Sequence, residues 1–387
     1  MLIHSFAEKL LDLIFFFGLA DCGKDCSGAP KAQCRRHRSH EKPDPKGTAR
    51  IKIKNVVLYI LIFFFVYNVF MLDFKSFAQK IVDSEDFRGS VLLDEPMANH
   101  TTFKIGGKVP VFFEPADFDS LLELLSQLKK EEIRFFVLGG GSNVVFCDGG
   151  FEGVVVSLLK LKKIEEVKTS QTDENDVLVS VEAGASMSLF VDFCAKNGFC
   201  GAERFAGLPG TVGGALFMNA RCFDLSVSEL FVEAYYIDLD DYTEKHRIFR
   251  ADEWDYKVSP FQNGKSLILS ATFRLKKNGD SAEEIKAECK KFVEERRLKG
   301  HFNFPSAGSV FRNDRSFGAP SGKIIDECGL RGKQIGKAQI APFHGNFIIN
   351  LGGATQKDVK ALVEFAVNEV KSKTGFCLQP EIIFVDK

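Results

Sequence analysis

Two glycine clusters, Leu138-Gly-Gly-Gly-Ser-Asn143 and Ala206-Gly-Leu-Pro-Gly-Thr-Val-Gly-Gly-Ala215, constrain this chain more than any other feature. Glycine inside a helix or strand costs roughly 0.5–1 kcal/mol relative to alanine, so each cluster marks a junction between elements. The first follows a strand signal at Ile133–Leu138, and a second strand signal comes after it. Its spacing is not GxGxxG, and no Gly-Lys-Ser/Thr follows, so neither the dinucleotide fingerprint nor the P-loop fits. Backbone amides free of side chains can still cradle a pyrophosphate, with Ser142 and Asn143 as further donors. In the second cluster Pro209-Gly210 forms a turn and Thr211 a helix N-cap, which would aim helix-start amides at an anion. Gly213 and Gly214 would let another group approach closely. A tight turn or helix–sheet packing explains either cluster alone. Two in one domain favour a phosphate-bearing cofactor.

Around these loops helices and strands alternate without a repeat, which makes the class α+β. Apolar residues fall at helical spacing over Phe118–Leu128, ahead of Lys129 and Lys130. Strands are expected at Gly153–Leu158, Val177–Glu182, Ile268–Leu275 and Glu381–Val385, and a helix at Met187–Lys196 before Asn197-Gly198. Ser281-Ala-Glu-Glu284 is a capping box opening a helix to about Leu298. Thr355–Thr374 is amphipathic, with Val359, Leu362, Val363, Ala366, Val367 and Val370 on one face and Gly375 as its stop.

Residues 1–70 are different. They carry 11 Lys/Arg against 6 Asp/Glu, whereas the remainder carries 40 against 46. The apolar runs Leu10–Ala20 and Val56–Phe70 flank a basic stretch without hydrophobic periodicity. As a membrane anchor, Val56–Phe70 would span only about 22 Å of a ~30 Å hydrocarbon core. As a lipoprotein signal, the run before Cys22 has Asp21 where a small residue is wanted. The favoured expectation is an extension outside the fold, with Met71 as the true start. A formal net charge of −1 argues against a nucleic-acid partner. With 45% hydrophobic residues the chain can build a core without disulfides, so its ten cysteines read as reduced thiols of a cytosolic protein. No metal site and no obligate protein partner are indicated.

The motifs His100-Thr-Thr-Phe-Lys-Ile-Gly-Gly107, Leu138–Asn143 and Gly207–Ala215 with Met218-Asn219-Ala220 resemble, in order and approximate spacing, the FAD-binding signatures of MurB reductases. The resemblance continues through Gly308-Ser-Val-Phe-Arg-Asn313, Ser321-Gly-Lys-Ile-Ile-Asp326, Gly332–Asn350 and Leu378-Gln-Pro-Glu-Ile382, covering essentially residues 71–387. It implies a two-lobed FAD-binding unit of the vanillyl-alcohol-oxidase type over 71–280 and a smaller α+β substrate-binding domain over 281–375. Residues 376–387 would return as a strand to the first unit. The implied reaction is NADPH-dependent reduction, through FAD, of UDP-N-acetylenolpyruvoylglucosamine to UDP-N-acetylmuramate in cytoplasmic peptidoglycan synthesis, and hence a role in cell shape and division.

By the same resemblance Ser309 is the proton donor and Glu381 orients or polarises the enolpyruvyl group. Cofactor contacts fall on Thr102, Gly106, Gly107, Gly139, Gly140, Gly141, Ser142, Asn143, Gly207, Pro209, Gly210, Thr211, Gly213 and Gly214. Arg312, Asn313, Lys323 and Gln339 are candidate substrate contacts, each equally explicable as surface polarity. His344 is either a site residue or a packed histidine. Two departures matter. Lys257 stands where the family usually has arginine, keeping the charge but losing the planar fork. Arg221 replaces a family Gly-Ala-Tyr turn, and would supply the missing guanidinium or merely pair on the surface. A histidyl-tethered FAD oxidase is disfavoured, because no histidine lies between Thr101 and Lys245. A binding protein that has lost the chemistry would draw support only from Lys257.

Overall fold

The computed structural model describes residues 73–387 apart from 169–172, 174 and 278, so the extension at 1–70 lies outside the described residues. Helix α1 (Phe74–Val82) lays Phe77, Ala78 and Ile81 on the core. Strands β1 (Gly89–Pro96) and β2 (Lys108–Pro115) then pair antiparallel. Helix α2 (Phe118–Lys130) is capped by the Asp117 carboxylate and buries Leu121, Leu124, Leu125 and Leu128 at helical spacing. Strands β3 (Phe135–Leu138), β4 (Val144–Phe146) and β5 (Val154–Ser157) follow. The first sheet has the order β1-β2-β5-β3, with β5 parallel to both neighbours. All four β5 residues are buried, as expected for a parallel strand covered on both faces.

A second lobe follows: β6 (Ile164–Val167), β7 (Asp176–Glu182), α3 (Met187–Lys196), α4 (Val212–Phe217), a small hairpin of β8 (Arg221–Cys222) and β9 (Leu225–Ser226), then β10 (Phe231–Asp238), β11 (Thr243–Ile248) and β12 (Ser266–Lys276). Its sheet is antiparallel throughout, in the order β11-β10-β12-β7-β6. Strand β7 turns Val177, Val179 and Val181 inward, the period-two pattern of a sheet with one buried face. One apolar core, including Val111, Phe113, Leu121, Val156, Val179, Phe190 and Phe273, joins the two lobes.

The remaining elements are α5 (Ala282–Leu298), β13 (Ser306–Ser309), α6 (Ser321–Glu327), β14 (Gln334–Ile335), β15 (Ala338–Ile340), β16 (Phe347–Asn350), α7 (Gln356–Thr374) and β17 (Ile383–Val385). Capping boxes form at Ser281/Glu284 and Thr355/Asp358, and Gly375 ends α7 at φ 79°. The sheet β13-β16-β15-β14 shares a second core with the Val359, Leu362, Val363, Ala366 and Val370 face of α7.

Two expected strands are shorter than their apolar runs. Ile133 donates its amide to Leu128 in the turn leaving α2, so β3 begins at Phe135. The Glu381 amide is taken by the Val310 carbonyl, so β17 begins at Ile383. Strand β17 then pairs parallel with β4, Ile383 opposite Val144. Among the described residues no helix is long and apolar enough to cross a membrane.

Buried Gln356, at the start of α7, fastens this return. Its Nε2 donates to the carbonyl of Val145 in β4 at 2.8 Å and of Val385 in β17 at 3.2 Å. Gln356→Leu removes both of these hydrogen bonds, although the Val385 carbonyl keeps the Cys147 amide as a donor. We expect it to lower unfolding free energy in urea by about 1–3 kcal/mol, since each hydrogen bond is worth about 0.5–1.5 kcal/mol. Exposed Lys357→Leu one position on should change stability by less than about 0.5 kcal/mol.

Candidate active site

The two glycine loops touch backbone to backbone. A Cβ on Gly140 would sit 2.7 Å from the Gly210 Cα, and one on Gly139 would sit 2.5 Å from the Thr211 hydroxyl. Gly141 adopts φ 61°, and its missing Cβ would strike the His100 carbonyl. Side chains would push these segments apart, so glycine here serves loop-to-loop packing as well as ligand approach. The expected anion site at the start of α4 is not available. The amides of Val212 and Gly213 go to the carbonyls of Ala185 and Ala183, and Gly214 donates to the capping Thr211 hydroxyl. The helix start is stitched to the strand end before it, and Gly213 admits Ala183 instead of a ligand. Gly207, Gly106 and Gly107 are likewise sites of protein packing, and Thr102 latches the lobes by donating to the Ser306 carbonyl at 2.7 Å. Thr102, Gly106, Gly107 and Gly207 all lie off the cleft lining.

The cleft is about 1210 Å³ and runs past Gly139–Asn143, Pro209, Gly210, Thr211, Gly213 and Gly214 to Lys257, Ser309 and Glu381. It exceeds the ~300–1,000 Å³ typical of small-molecule pockets, which gives room for a dinucleotide and a second ligand together. Among the described residues, no backbone carbonyl accepts from the amides of Gly140, Gly141 or Ser142. An open loop with uncommitted amides and space beside it fits the diphosphate of a flavin dinucleotide.

At the other end of the cleft the Lys257 Nζ lies 2.7 Å from Oε1 of Glu381, with side-chain exposures of only 14% and 7%. Reciprocal backbone bonds between Asp255 and Val258 close a tight turn that holds Lys257 at φ 60°. Two residues of α4 and its exit anchor this turn. Buried Asn219 donates to the Asp255 carbonyl at 2.8 Å, and Ser259 donates to the Phe217 carbonyl at 2.7 Å. Arg221 faces the same cleft, but its guanidinium engages Asp224 at 3.1 Å and the Ser226 hydroxyl at 3.2 Å. The cation on Glu381 is therefore Lys257.

Ser309 reaches the cleft through a bulge. The register of β13 against β16 slips between Ser306 and Ser309, and Gly308 takes φ 75° with open space where a Cβ would be. Such a bulge re-aims the side chain that follows it. Buried Asn346 holds the next segment by bonding both the amide and the carbonyl of Phe311 at 2.8 Å. The His344 Nδ1 accepts from the Asn346 amide at 3.1 Å, which leaves Nε2 as the protonated nitrogen.

Of the other candidates, Asn313 lines the cleft, although its side-chain oxygen also accepts the Ser321 amide at the start of α6. Arg312, Lys323 and Gln339 lie off the lining. Exposed Lys323 is near Glu327, and Gln339 donates to the Gly332 carbonyl. Arg296, Lys299 and His301 line the cleft and were missed in the sequence. The basic end of α5 reads as ordinary helix-dipole compensation, and only its place just before Pro305-Ser-Ala-Gly-Ser309 hints otherwise. The Arg296 Nε and both His301 ring nitrogens are buried without a protein partner.

The description "UDP-N-acetylenolpyruvoylglucosamine reductase, C-terminal domain" matches residues 300–385, and an FAD binding domain matches residues 109–231. A UDP-N-acetylenolpyruvoylglucosamine reductase of Treponema denticola is 44% identical over 307 residues, 76% of this chain and 94% of the relative. Its counterpart in Borreliella burgdorferi is 38% identical over 75% of this chain and 92% of the relative. A solved UDP-N-acetylenolpyruvylglucosamine reductase from Thermus caldophilus superposes with a TM-score of 0.59 at 27% identity, covering 77% of this chain and 99% of that one.

Two outcomes follow from the geometry. Removing one member of a buried ion pair strands the other charge, at a cost of roughly 3–5 kcal/mol. Lys257→Met should therefore lower thermal stability more than the double variant Lys257→Met/Glu381→Gln, and the two melting curves check this. Burial, reinforced by Arg296, His344 and Lys299, lowers the His301 pKa from 6.5 to about 4. The unfolded chain then binds the extra proton between these values, so stability present above pH 6.5 declines as pH falls toward 4. His301→Phe should flatten the pH dependence of unfolding free energy across that window.

Proposed function

The chain belongs to the UDP-N-acetylenolpyruvoylglucosamine reductase family of FAD-dependent oxidoreductases, and from that premise we propose that it reduces UDP-N-acetylenolpyruvoylglucosamine to UDP-N-acetylmuramate with NADPH as reductant. This is a step of peptidoglycan precursor synthesis, on which cell shape and division depend. Its soluble partners, NADPH and a UDP-sugar, set the reaction in the cytoplasm. The observation that carries the reading is the convergence of Ser309, Glu381 and Lys257 on the cleft that the open glycine loop also lines.

When bound, FAD reduced by NADPH would supply the hydride for C3 of the enolpyruvyl group. The amides of Gly140, Gly141 and Ser142 would hold the cofactor's diphosphate. The Ser309 hydroxyl delivers the proton to C2. Serine is a weak acid, but an enolate is basic enough to take its proton where a milder acceptor would not. Glu381 polarises the enolpyruvyl group, and Lys257 holds that carboxylate in one orientation. The Lys257 charge also steadies negative charge as it develops on the enolpyruvyl carboxylate. Arg296 and Asn313 offer donors to the sugar nucleotide. We assign flavin binding to residues 71–280, substrate binding to 281–375, and the closing strand to 376–387. The family matches at 109–231 and 300–385 and the pairing of β17 with β4 support this division.

The test separates the two half-reactions. Purified protein should be yellow with bound oxidised flavin. Ser309→Ala should keep that flavin and its rate of reduction by NADPH in stopped flow. Reoxidation by UDP-N-acetylenolpyruvoylglucosamine should slow by at least about a hundredfold, the lower range for a general acid. Ser309→Cys should restore part of the rate. Equal losses in both half-reactions would remove Ser309 from the mechanism.

A further inference from the structure

The end of α5 fixes the side chain of His301. The helix stops in a Schellman motif: Gly300 at φ 78° donates to the Arg297 carbonyl, and the His301 amide donates to that of Arg296 at 3.1 Å. Gly300 also leaves room for the Phe343 ring, 2.7 Å from where its Cβ would be. The backbone entering His301 is thus set by a glycine turn and a packed ring.

From this turn the His301 imidazole stacks on Phe347, with centroids 4.8 Å apart and planes at 22°. Phe347 is the cross-strand partner of Ser309, so both side chains stand on one face of the β13–β16 pair. The imidazole therefore rests on the ring beside the serine. Its two nitrogens are buried without a protein partner, and so is the Arg296 Nε on the last turn of α5. Buried polar groups are seldom left unpaired, and these two residues both line the cleft.

We infer that His301 is a specificity-determining contact for the sugar nucleotide, hydrogen-bonding a neutral amide or hydroxyl of its amino sugar. This rests on the reductase reading above. A neutral imidazole presents one N–H donor and one lone-pair acceptor, so it pairs fully only with a group that both accepts and donates. An amide or a hydroxyl does both, whereas a phosphate only accepts. The diphosphate is better served by Arg296, which has donors alone. The low His301 pKa keeps the ring neutral at physiological pH. His301 lies with Ser309 in the segment matched by the C-terminal domain, outside that matched by the FAD binding domain, and the division proposed above gives this segment to the substrate.

The experiment uses the flavin-loaded full chain. His301→Phe keeps the ring stack and removes both nitrogens, whereas His301→Gln keeps a donor and an acceptor. Binding to oxidised enzyme is followed by the flavin difference spectrum with two probes, UDP-N-acetylglucosamine and UDP. His301→Phe should bind UDP as wild type does and UDP-N-acetylglucosamine about 10- to 100-fold more weakly. In turnover, KM for the enolpyruvyl substrate should rise more than kcat falls, with flavin reduction by NADPH unchanged. His301→Gln should recover part of the lost affinity. Wild-type affinity for UDP-N-acetylglucosamine in His301→Phe would overturn the inference. So would parallel loss of both probes, or equal losses in the Phe and Gln variants. Wild-type enzyme whose reduced flavin is not reoxidised by the enolpyruvyl substrate would overturn the reductase reading, and this contact with it.

Discussion

The cleft is held together by a short backbone seam. Between Gln379 and Ile383 the C-terminal segment bonds alternately to the two bodies it runs between. The Arg312 amide donates to the Gln379 carbonyl at 2.9 Å, and the Glu381 amide donates to the Val310 carbonyl at 2.7 Å. On the other side the Ile383 amide donates to the Asn143 carbonyl at 2.9 Å, and the Asn143 side chain donates to the Glu381 carbonyl at 3.2 Å. One residue, Glu381, is thereby fixed against the strand that carries Ser309 and against the end of the first glycine loop. Backbone bonds set this position, so it does not depend on the Glu381 side chain. Separating the two bodies would break the two bonds on one side or the other of this segment.

Against that frame the site carries costs that a purely structural region would avoid. Lys257 sits at φ 60°, a conformation that costs an L side chain of order 1–3 kcal/mol in a strained loop. It forms an ion pair withdrawn from water, whose net worth is small because desolvation offsets attraction. His301 and Arg296 keep buried polar atoms unpaired. These features meet around one cleft, although single exceptions such as Asp94 at φ 52° in β1 and the unpaired Trp254 Nε1 lie elsewhere. Local rules fail preferentially at functional sites, so their meeting here supports the cleft as the site.

Much of the frame was legible in the sequence, because it rests on local signals. The Ser281 and Thr355 capping boxes, the Gly375 stop and the apolar face of α7 depend on residues a few positions apart. The position of the glycine loops was legible too, but not the use of their amides. Nothing local shows that the Ala183 and Ala185 carbonyls would reach the start of α4 and consume its donors. The choice between Lys257 and Arg221 was equally closed to sequence. It turns on Asn219 and Ser259 holding the Lys257 turn beside a C-terminal residue more than a hundred positions away. Arg296 and His301 were hidden because a basic helix end is ordinary, and what distinguishes them is that the Arg296 Nε and the His301 ring nitrogens lack protein partners, although another Arg296 nitrogen donates to the Cys222 Sγ.

The charges of the cleft fall into two groups, and the division bears on how a weak acid can act there. Glu381 is already matched by Lys257 and Arg221 by Asp224, so neither pair adds a net field near Ser309. Arg296 has no carboxylate partner among the described residues, and its Nε is buried. In the proposed complex Arg296 would offset one of the two negative charges of a sugar-nucleotide diphosphate, leaving the Lys257–Glu381 pair undisturbed. The reacting end is left with a neutral hydroxyl, a neutral imidazole stacked beside it, and a carboxylate locked by its own cation. On the proposed mechanism, negative charge developing on the enolpyruvyl group would meet few mobile counter-charges here, and the Ser309 proton would neutralise it. The proposed role of serine as the acid is consistent with a site that holds its stronger charges in fixed pairs and a reaction that brings a basic carbon to the hydroxyl.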